Sequence, residues 1–214
     1  MAAKDENTTF HITFLRHGES TGNVAGLLQG QSDYPLTEKG VRQAQALAEQ
    51  WRSANVIFDW VITSPLQRAL QTAEIVAAPL GIVPICDPAW MEQSFGDLEC
   101  MPVAEIDLSR PPFHIYHPYQ PVGQNAESQM DLYRRASLAV QTLLSGAPGR
   151  YLVVSHGACL NMIVYAALGL VPNGIHSPRF AFGNTAYVQF EYRPAQHRWR
   201  MLSFQQASGV DENG

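Results

Sequence analysis

Three apolar runs in this chain each end in a small or basic residue and lead on to a segment of helical period. That alternation narrows the fold more than any other feature of the sequence. Residues 10–15, 56–63 and 151–155 read as strands. The last, Tyr151-Leu152-Val153-Val154-Ser155, is apolar at nearly every position, as in a parallel strand buried on both faces. After a turn-rich stretch over 28–36, Thr37-Glu38 caps a helix with Val41, Ala44, Leu47, Ala48 and Trp51 along one side. Ser64-Pro65 reads as a cap with proline at the first helical position, leading through Leu66, Ala69, Leu70, Ala73, Ile75 and Val76. Residues 158–168 form the helix after the third run. A short strand over 82–86, a helix over 127–144 (Leu132, Ala136, Val140 and Leu143 on one side) and strands over 185–192 and 198–204 complete the pattern. The expected class is α/β: a three-layer α/β/α sandwich whose mostly parallel central sheet carries helices on both faces.

A chain of 214 residues can bury a good core, and one domain over 10–205 is expected, with flexible polar ends at 1–9 and 206–214. Residues 87–125 break the pattern. They carry Pro88, Pro102, Pro111, Pro112, Pro118 and Pro121, with Phe113, His114, Tyr116, His117 and Tyr119. A loop so long is uncommon in a compact domain and reads as a lid or binding wall, a substrate rim at about 100–126. A net charge of −5 argues against a nucleic-acid or anionic-membrane surface, and no apolar run approaches a membrane span. The first residues lack the apolar core of a secretion signal, and Cys86, Cys100 and Cys159 form neither a metal pattern nor an even disulfide set. A reduced, cytoplasmic setting is expected, and the terminal strands and exposed aromatics would permit a homodimer.

The chemistry collects at strand ends. Arg16-His17-Gly18, Ser64-Pro65-Leu66-Gln67-Arg68 and Ser155-His156-Gly157 each follow a predicted strand. In open α/β sheets ligands bind outside the carboxyl ends of the strands, so these segments are expected to meet. An imidazole can be a neutral nucleophile near pH 7; a neighbouring guanidinium neutralises anionic oxygens, and glycine lets backbone N–H groups approach them. Arg68 falls in the first turn of its helix, where the macrodipole disfavours a cation unless an anion is shared there. His17 and His156 could instead be core histidines or metal ligands, but neither belongs to a close-spaced ligand cluster, and two arginines beside a divalent ion would repel it. No Gly-x-Ser-x-Gly elbow, dinucleotide fingerprint or Walker loop is present. No metal and no cofactor are expected.

The pieces together resemble the histidine phosphatase superfamily, also called phosphoglycerate mutase-like. They are Arg16-His17-Gly18-Glu19 with Asn23, residues 29–37 with Gly40, Ser64-Pro65-Leu66 with Arg68-Ala69 and Gln71-Thr72-Ala73, Glu92 before Phe95-Gly96 and Glu99, and Ser155-His156-Gly157. They stand in the family's order over about residues 10–165. The resemblance implies that His17 takes the phosphoryl group and that Arg16, Arg68 and His156 form the phosphate pocket, with Asn23 adding a hydrogen bond. It implies that Glu92 donates a proton to the leaving oxygen, with Asp97 and Glu99 as rivals, and that Gln29, Gly30 and Gly157 line the substrate site. Two departures stand out. Gly123-Gln124-Asn125-Ala126-Glu127-Ser128 spreads the family's Gly-Glu-Ser, and Glu99-Cys100 replaces its Glu-Gly.

The family's mutases carry a longer, basic insertion after the acid, with paired arginines and a lysine. Between Glu92 and Arg134 this chain has only Arg110. Aromatics and histidines stand in place of the cations, so a wall for a neutral or partly apolar ester body is expected. A phosphatase acting on a small phosphorylated metabolite is favoured over a mutase, a phosphoprotein phosphatase or a catalytically idle phosphopeptide-binding module.

Overall fold

The computed structural model describes residues 8–106 and 117–206. Of the ends expected to be flexible, 1–9 and 206–214, all but residues 8, 9 and 206 lie outside the described residues, as do His114 and its neighbours in the rim. In order, the elements are β1 (Phe10–Arg16), α1 (Thr21–Val24), α2 (Glu38–Ser53), β2 (Trp60–Thr63), α3 (Gln67–Ala77), β3 (Ile85–Cys86), α4 (Gln129–Ser145), β4 (Arg150–Ser155), α5 (Gly157–Leu168), β5 (Tyr187–Arg193) and β6 (Arg198–Gln205). They form one sheet in the order β3-β2-β4-β1-β5-β6. The first four strands are parallel, while β5 pairs antiparallel with β1 and β6 with β5. The β5–β6 link is a short turn over Pro194–Gln196 closed by His197 at φ 48°, too short to cross the sheet, so the two strands must be antiparallel.

Period-two alternation splits the core between the two faces. Tyr151 and Val153 of β4, with Phe10, Ile12 and Phe14 of β1, pack with α4 and α5 through Leu132, Ala136, Leu160 and Ile163. Leu152 and Val154, with Leu15 and Val61, pack with α2 and α3 through Ala44, Leu47, Trp51 and Ala73. Each such Leu, Val or Ile contributes roughly 1.5–3 kcal/mol when fully buried. The mixed α/β class with helices on both faces is as expected. Among the described residues no helix is long and apolar enough to cross a membrane.

Several boundaries differ from the sequence expectation. The strand expected at 56–63 is β2, only Trp60–Thr63, because pairing with β4 begins at Trp60 opposite Tyr151 while the Val56 N–H still closes the end of α2 on Trp51. The strand expected at 82–86 shrinks to Ile85–Cys86 at the sheet edge, after Pro84, which has no N–H to pair. α3 is capped by Leu66 rather than by Ser64-Pro65, with no side-chain bond of its own; Asp33, far away in sequence, accepts the Gln67 N–H at 2.7 Å instead. α4 begins at Gln129 behind a Ser128–Asp131 capping box, two residues later than expected. β5 begins at Tyr187, since Thr185 is turned to φ 58° and donates its N–H to the His17 carbonyl. Within the irregular stretch the chain makes short turns at Pro88–Trp90, Gly96–Leu98 and Val103–Glu105.

Candidate active site

The parallel register brings three strand ends level. Arg16 on β1 stands opposite Ser155 on β4, and Thr63 on β2 opposite Val154. The chain leaving each strand therefore delivers His17, His156 and Ser64 side by side, with His156 in the middle. The two imidazoles stack at a tilt with centroids 5.2 Å apart. His17 is 3% exposed and His156 fully buried. The turn after β1 is tight because Gly18 and Gly40 face each other: a Cβ on Gly18 would lie 2.6 Å from the Gly40 carbonyl oxygen. The Gly18 N–H donates to Thr72 Oγ1 on α3 at 3.0 Å, locking the turn to that helix.

This packing fixes the tautomer of His17 and allows one for His156 that leaves its Nδ1–H free. His17 Nδ1 lies 2.7 Å from the Gly18 carbonyl, which can only accept, so the proton sits on Nδ1 and Nε2 keeps its lone pair. Burial, with the Arg16 and Arg68 charges, holds His17 well below the ordinary imidazole range despite the Gly18 bond. His156 is lowered likewise, by burial first and then by Arg68, His17, Arg16 and Arg135. Its Nε2 is 2.8 Å from Ser64 Oγ, which accepts from the Leu66 N–H at 3.3 Å and can donate its own hydrogen to the ring. The His156 proton then sits on Nδ1.

Arg68 is 1% exposed. Nη2 donates to the Gly30 carbonyl at 2.7 Å and Nη1 to the Ser32 carbonyl at 2.9 Å. Gly30 is required there: it sits at φ 52°, and a Cβ would lie 2.4 Å from Glu99 Oε1. Arg16 donates Nη1 to the Phe182 carbonyl. Burial lowers both arginines below their ordinary value, partly offset by the Glu92 charge. Among the described residues, Arg16 Nε, Arg68 Nε and His156 Nδ1 are buried without a partner. Three N–H donors left unsatisfied around one imidazole are what an oxyanion would fill.

Glu92 reaches the same place from the irregular stretch. Its carboxylate accepts the N–H groups of Gln93 at 2.9 Å, Ala158 at 3.1 Å and Cys159 at 2.9 Å, so it closes the N-terminus of α5. A Cβ on Gly157 would lie 3.9 Å from Arg16 Nε and 4.0 Å from Glu92 Oε2, placing that glycine between them. The Glu92 backbone is held in turn by Arg135, all five of whose donors are used. Nη1 bonds the Ala89 and Met91 carbonyls, Nη2 the Glu92 carbonyl and Glu127 Oε2, and Nε bonds Glu127 Oε1. The rivals are engaged elsewhere. Asp97 accepts from the Gln124 N–H, and Glu99 holds Gln31, Ser32 and Phe95.

The structure thus brings Arg16, His17, Arg68, Glu92, His156 and Gly157 together. Asn23 is engaged beside the turn after β1: it completes the capping box of α1 and meets Asn184 Nδ2, which also donates to the His17 carbonyl. Gln29 Oε1 accepts from Ser20 Oγ, and its side chain packs on Gly22, so it braces the turn after β1. Sequence reasoning missed Asn184 and Arg135, and it named Thr72 without the part it plays in holding Gly18. Arg135 could have been found from its place two turns beyond Glu127; Asn184 carries no local signal. Among the described residues no group of three or more His, Cys, Asp or Glu is arranged to hold a metal ion.

Comparison with known proteins agrees with this fold. The family model of the histidine phosphatase superfamily (branch 1) matches residues 12–205. A protein of Yersinia enterocolitica named "Probable phosphoglycerate mutase GpmB" is 32% identical over 187 residues, covering 86% of each chain. Among solved structures, a mycobacterial glucosyl-3-phosphoglycerate phosphatase superposes with a TM-score of 0.79 at 26% identity, covering 93% of this chain and 100% of that one. A phosphoserine phosphatase of Entamoeba histolytica gives 0.77 at 25%, covering 93% and 98%.

Proposed function

The chain belongs to the histidine phosphatase superfamily, and from that premise we propose that it is a metal-independent phosphatase that hydrolyses small phosphate monoesters through a phosphohistidine. The observation that carries this reading is the cup: a buried imidazole with a free Nε2 lone pair, ringed by three unpartnered N–H donors on Arg16, Arg68 and His156. The ester's phosphoryl group fills those donors. Glu92 takes up a proton as the anionic ester settles beside it; His17 Nε2 attacks phosphorus, the P–O bond to the alcohol breaks, and Glu92 gives that proton to the departing oxygen. Charge spread over the phosphoryl oxygens in the transition state is met by two guanidinium groups and His156, fixed beforehand by the sheet. Water then attacks phosphorus, Glu92 takes its proton, the P–N bond breaks and phosphate leaves. Because the arginines supply the positive charge, the reaction needs no divalent ion.

The test is turnover of p-nitrophenyl phosphate with and without chelator, in the native protein and in His17→Ala. Chelator-resistant hydrolysis that vanishes in the variant is expected, with acid-labile label on His17 in quenched native enzyme. Turnover that survives in His17→Ala removes the nucleophile from the scheme. The name carried by the Yersinia relative favours a second reading, phosphoglycerate mutase. Incubation with 3-phosphoglycerate and its bisphosphate primer decides it: transfer to the other hydroxyl rather than release of phosphate marks a mutase.

A further inference from the structure

Resting on that reading, we propose that the alcohol half of the ester enters the cavity beside Glu92, and that the preferred alcohol is ring-sized, uncharged and largely apolar. It would not be a three-carbon alcohol bearing a carboxylate. The place follows from Gly157 and Ala158, which line the cavity. The Ala158 N–H holds the Glu92 carboxylate, and Gly157 lies between that carboxylate and Arg16. An oxygen protonated by Glu92 therefore leaves beside the cavity wall formed by Gly157 and Ala158.

The volume is about 400 Å³. At ~30 Å³ per water, that is room for roughly a dozen waters, and it falls within the roughly 300–1,000 Å³ of sites that enclose drug-sized ligands. A glycerate or serine would leave most of it wet. The walls are apolar at Leu28, Phe95, Leu132 and Met162. Of the polar side chains in the walls, His117 and Gln120 are exposed, and Asn161 is spent on the backbone of Gly157 and Phe180. Gln93 Nε2 is spent on the Glu127 carbonyl, Gln129 Oε1 on the Gly174 N–H and Ser177 Oγ accepts the Asn173 N–H, leaving an amide oxygen, an NH₂ group and a hydroxyl hydrogen. Among the described lining residues there is no carboxylate, and Arg179, exposed to solvent, is the one cation. A carboxylate in the interior would be desolvated with no buried cation to pair with, whereas a neutral ring with a hydrogen-bonding edge finds both surfaces it needs.

Binding to His17→Ala, which cannot turn over, is measured by calorimetry for 1-naphthyl phosphate, 3-phosphoglycerate and phosphoserine, and kcat/KM for the same esters in the native enzyme. The naphthyl ester is expected to bind at least about tenfold more tightly than either three-carbon ester and to have the highest kcat/KM. Val103→Trp, at a half-exposed wall position, is expected to weaken the naphthyl ester about tenfold while inorganic phosphate binds as before. Val122→Trp serves if that variant misfolds. A three-carbon ester that binds best, or a wall substitution without effect on the naphthyl ester, overturns the proposal. If the binding order holds but p-nitrophenyl phosphate is not hydrolysed, the phosphatase reading alone fails; if His17-dependent hydrolysis is seen with the order reversed, only this inference fails.

Discussion

The phosphate cup and the cavity next to it are built on opposite plans. The cup rests on the ends of β1, β2 and β4 and the first turns of α3 and α5, and its central side chains are almost wholly buried: His156 at 0%, Arg68 at 1%, His17 at 3%. Each is tied to the backbone or a neighbour within 3 Å. The cavity is walled largely by turns and loop side chains such as Val103, which is 51% exposed. In the proposed reaction the sheet fixes the groups that would meet phosphorus, where a small displacement costs much of the rate. Loops furnish the surface proposed to meet the alcohol, where a changed side chain would alter preference and leave the chemistry intact.

The sharpest way to break that contrast is to remove the nucleophile. His17→Ala should lower kcat by at least about 10⁴-fold with KM little changed, read on p-nitrophenyl phosphate. Next comes Arg68→Met, which leaves the cup one guanidinium short; a loss of about 10²–10³-fold in kcat is expected. Arg135 sits on the border of the two regions, holding the carbonyls of Ala89, Met91 and Glu92 without standing in the cup. Arg135→Ala should cost roughly ten- to a hundredfold in kcat, and a loss as large as that of Arg68 would mean the border is drawn wrongly.

The smallest effect is on stability. Both imidazoles are held neutral in the folded protein, so the unfolded chain binds their protons more readily. Stability is then full above the ordinary imidazole range and falls as pH drops below it, by up to about 1.4 kcal/mol per pH unit for each ring. Thermal melts between pH 7.5 and 5.5 should show this decline, and His156→Asn should reduce it. A melt flat over that range would show that the rings are not held neutral. For the same reason kcat/KM should lack an acid limb at the ordinary imidazole value.

Much of the cup could be read before any coordinates, because its residues follow apolar runs whose parallel pairing is forced by the helices between them. Arg68 was legible as a cation out of place at a helix start, and Gly30 proves to be the carbonyl that receives it. What escaped was whatever depended on folding at long range. Ser64 looked like a helix cap because Ser-Pro before an apolar helix usually is one, yet its hydroxyl belongs to His156. Asp33 took over the capping role from 34 residues away, a partnership no local pattern encodes. The pair of antiparallel strands closing the sheet was read as two strands without a direction. The cavity was foreseen only as a Pro- and His-rich wall, since loop paths follow from tertiary contacts rather than from period.

One consequence follows from the direction of β5. Running against its neighbour, it starts where β1 stops, and the residues just before it arrive at the cup: the Phe182 carbonyl takes Arg16, 166 positions earlier, and Thr185 and Asn184 close on the His17 carbonyl. A nascent chain emerging from the ribosome therefore holds its reactive histidine long before it holds the segment that seats it. Competence to react must wait until residues 182–187 have been made, and contacts spanning so much of the polypeptide form slowly. Stalled chains ending near residue 175 should fold their helices and strands in part and yet fail to take up a phosphoryl group.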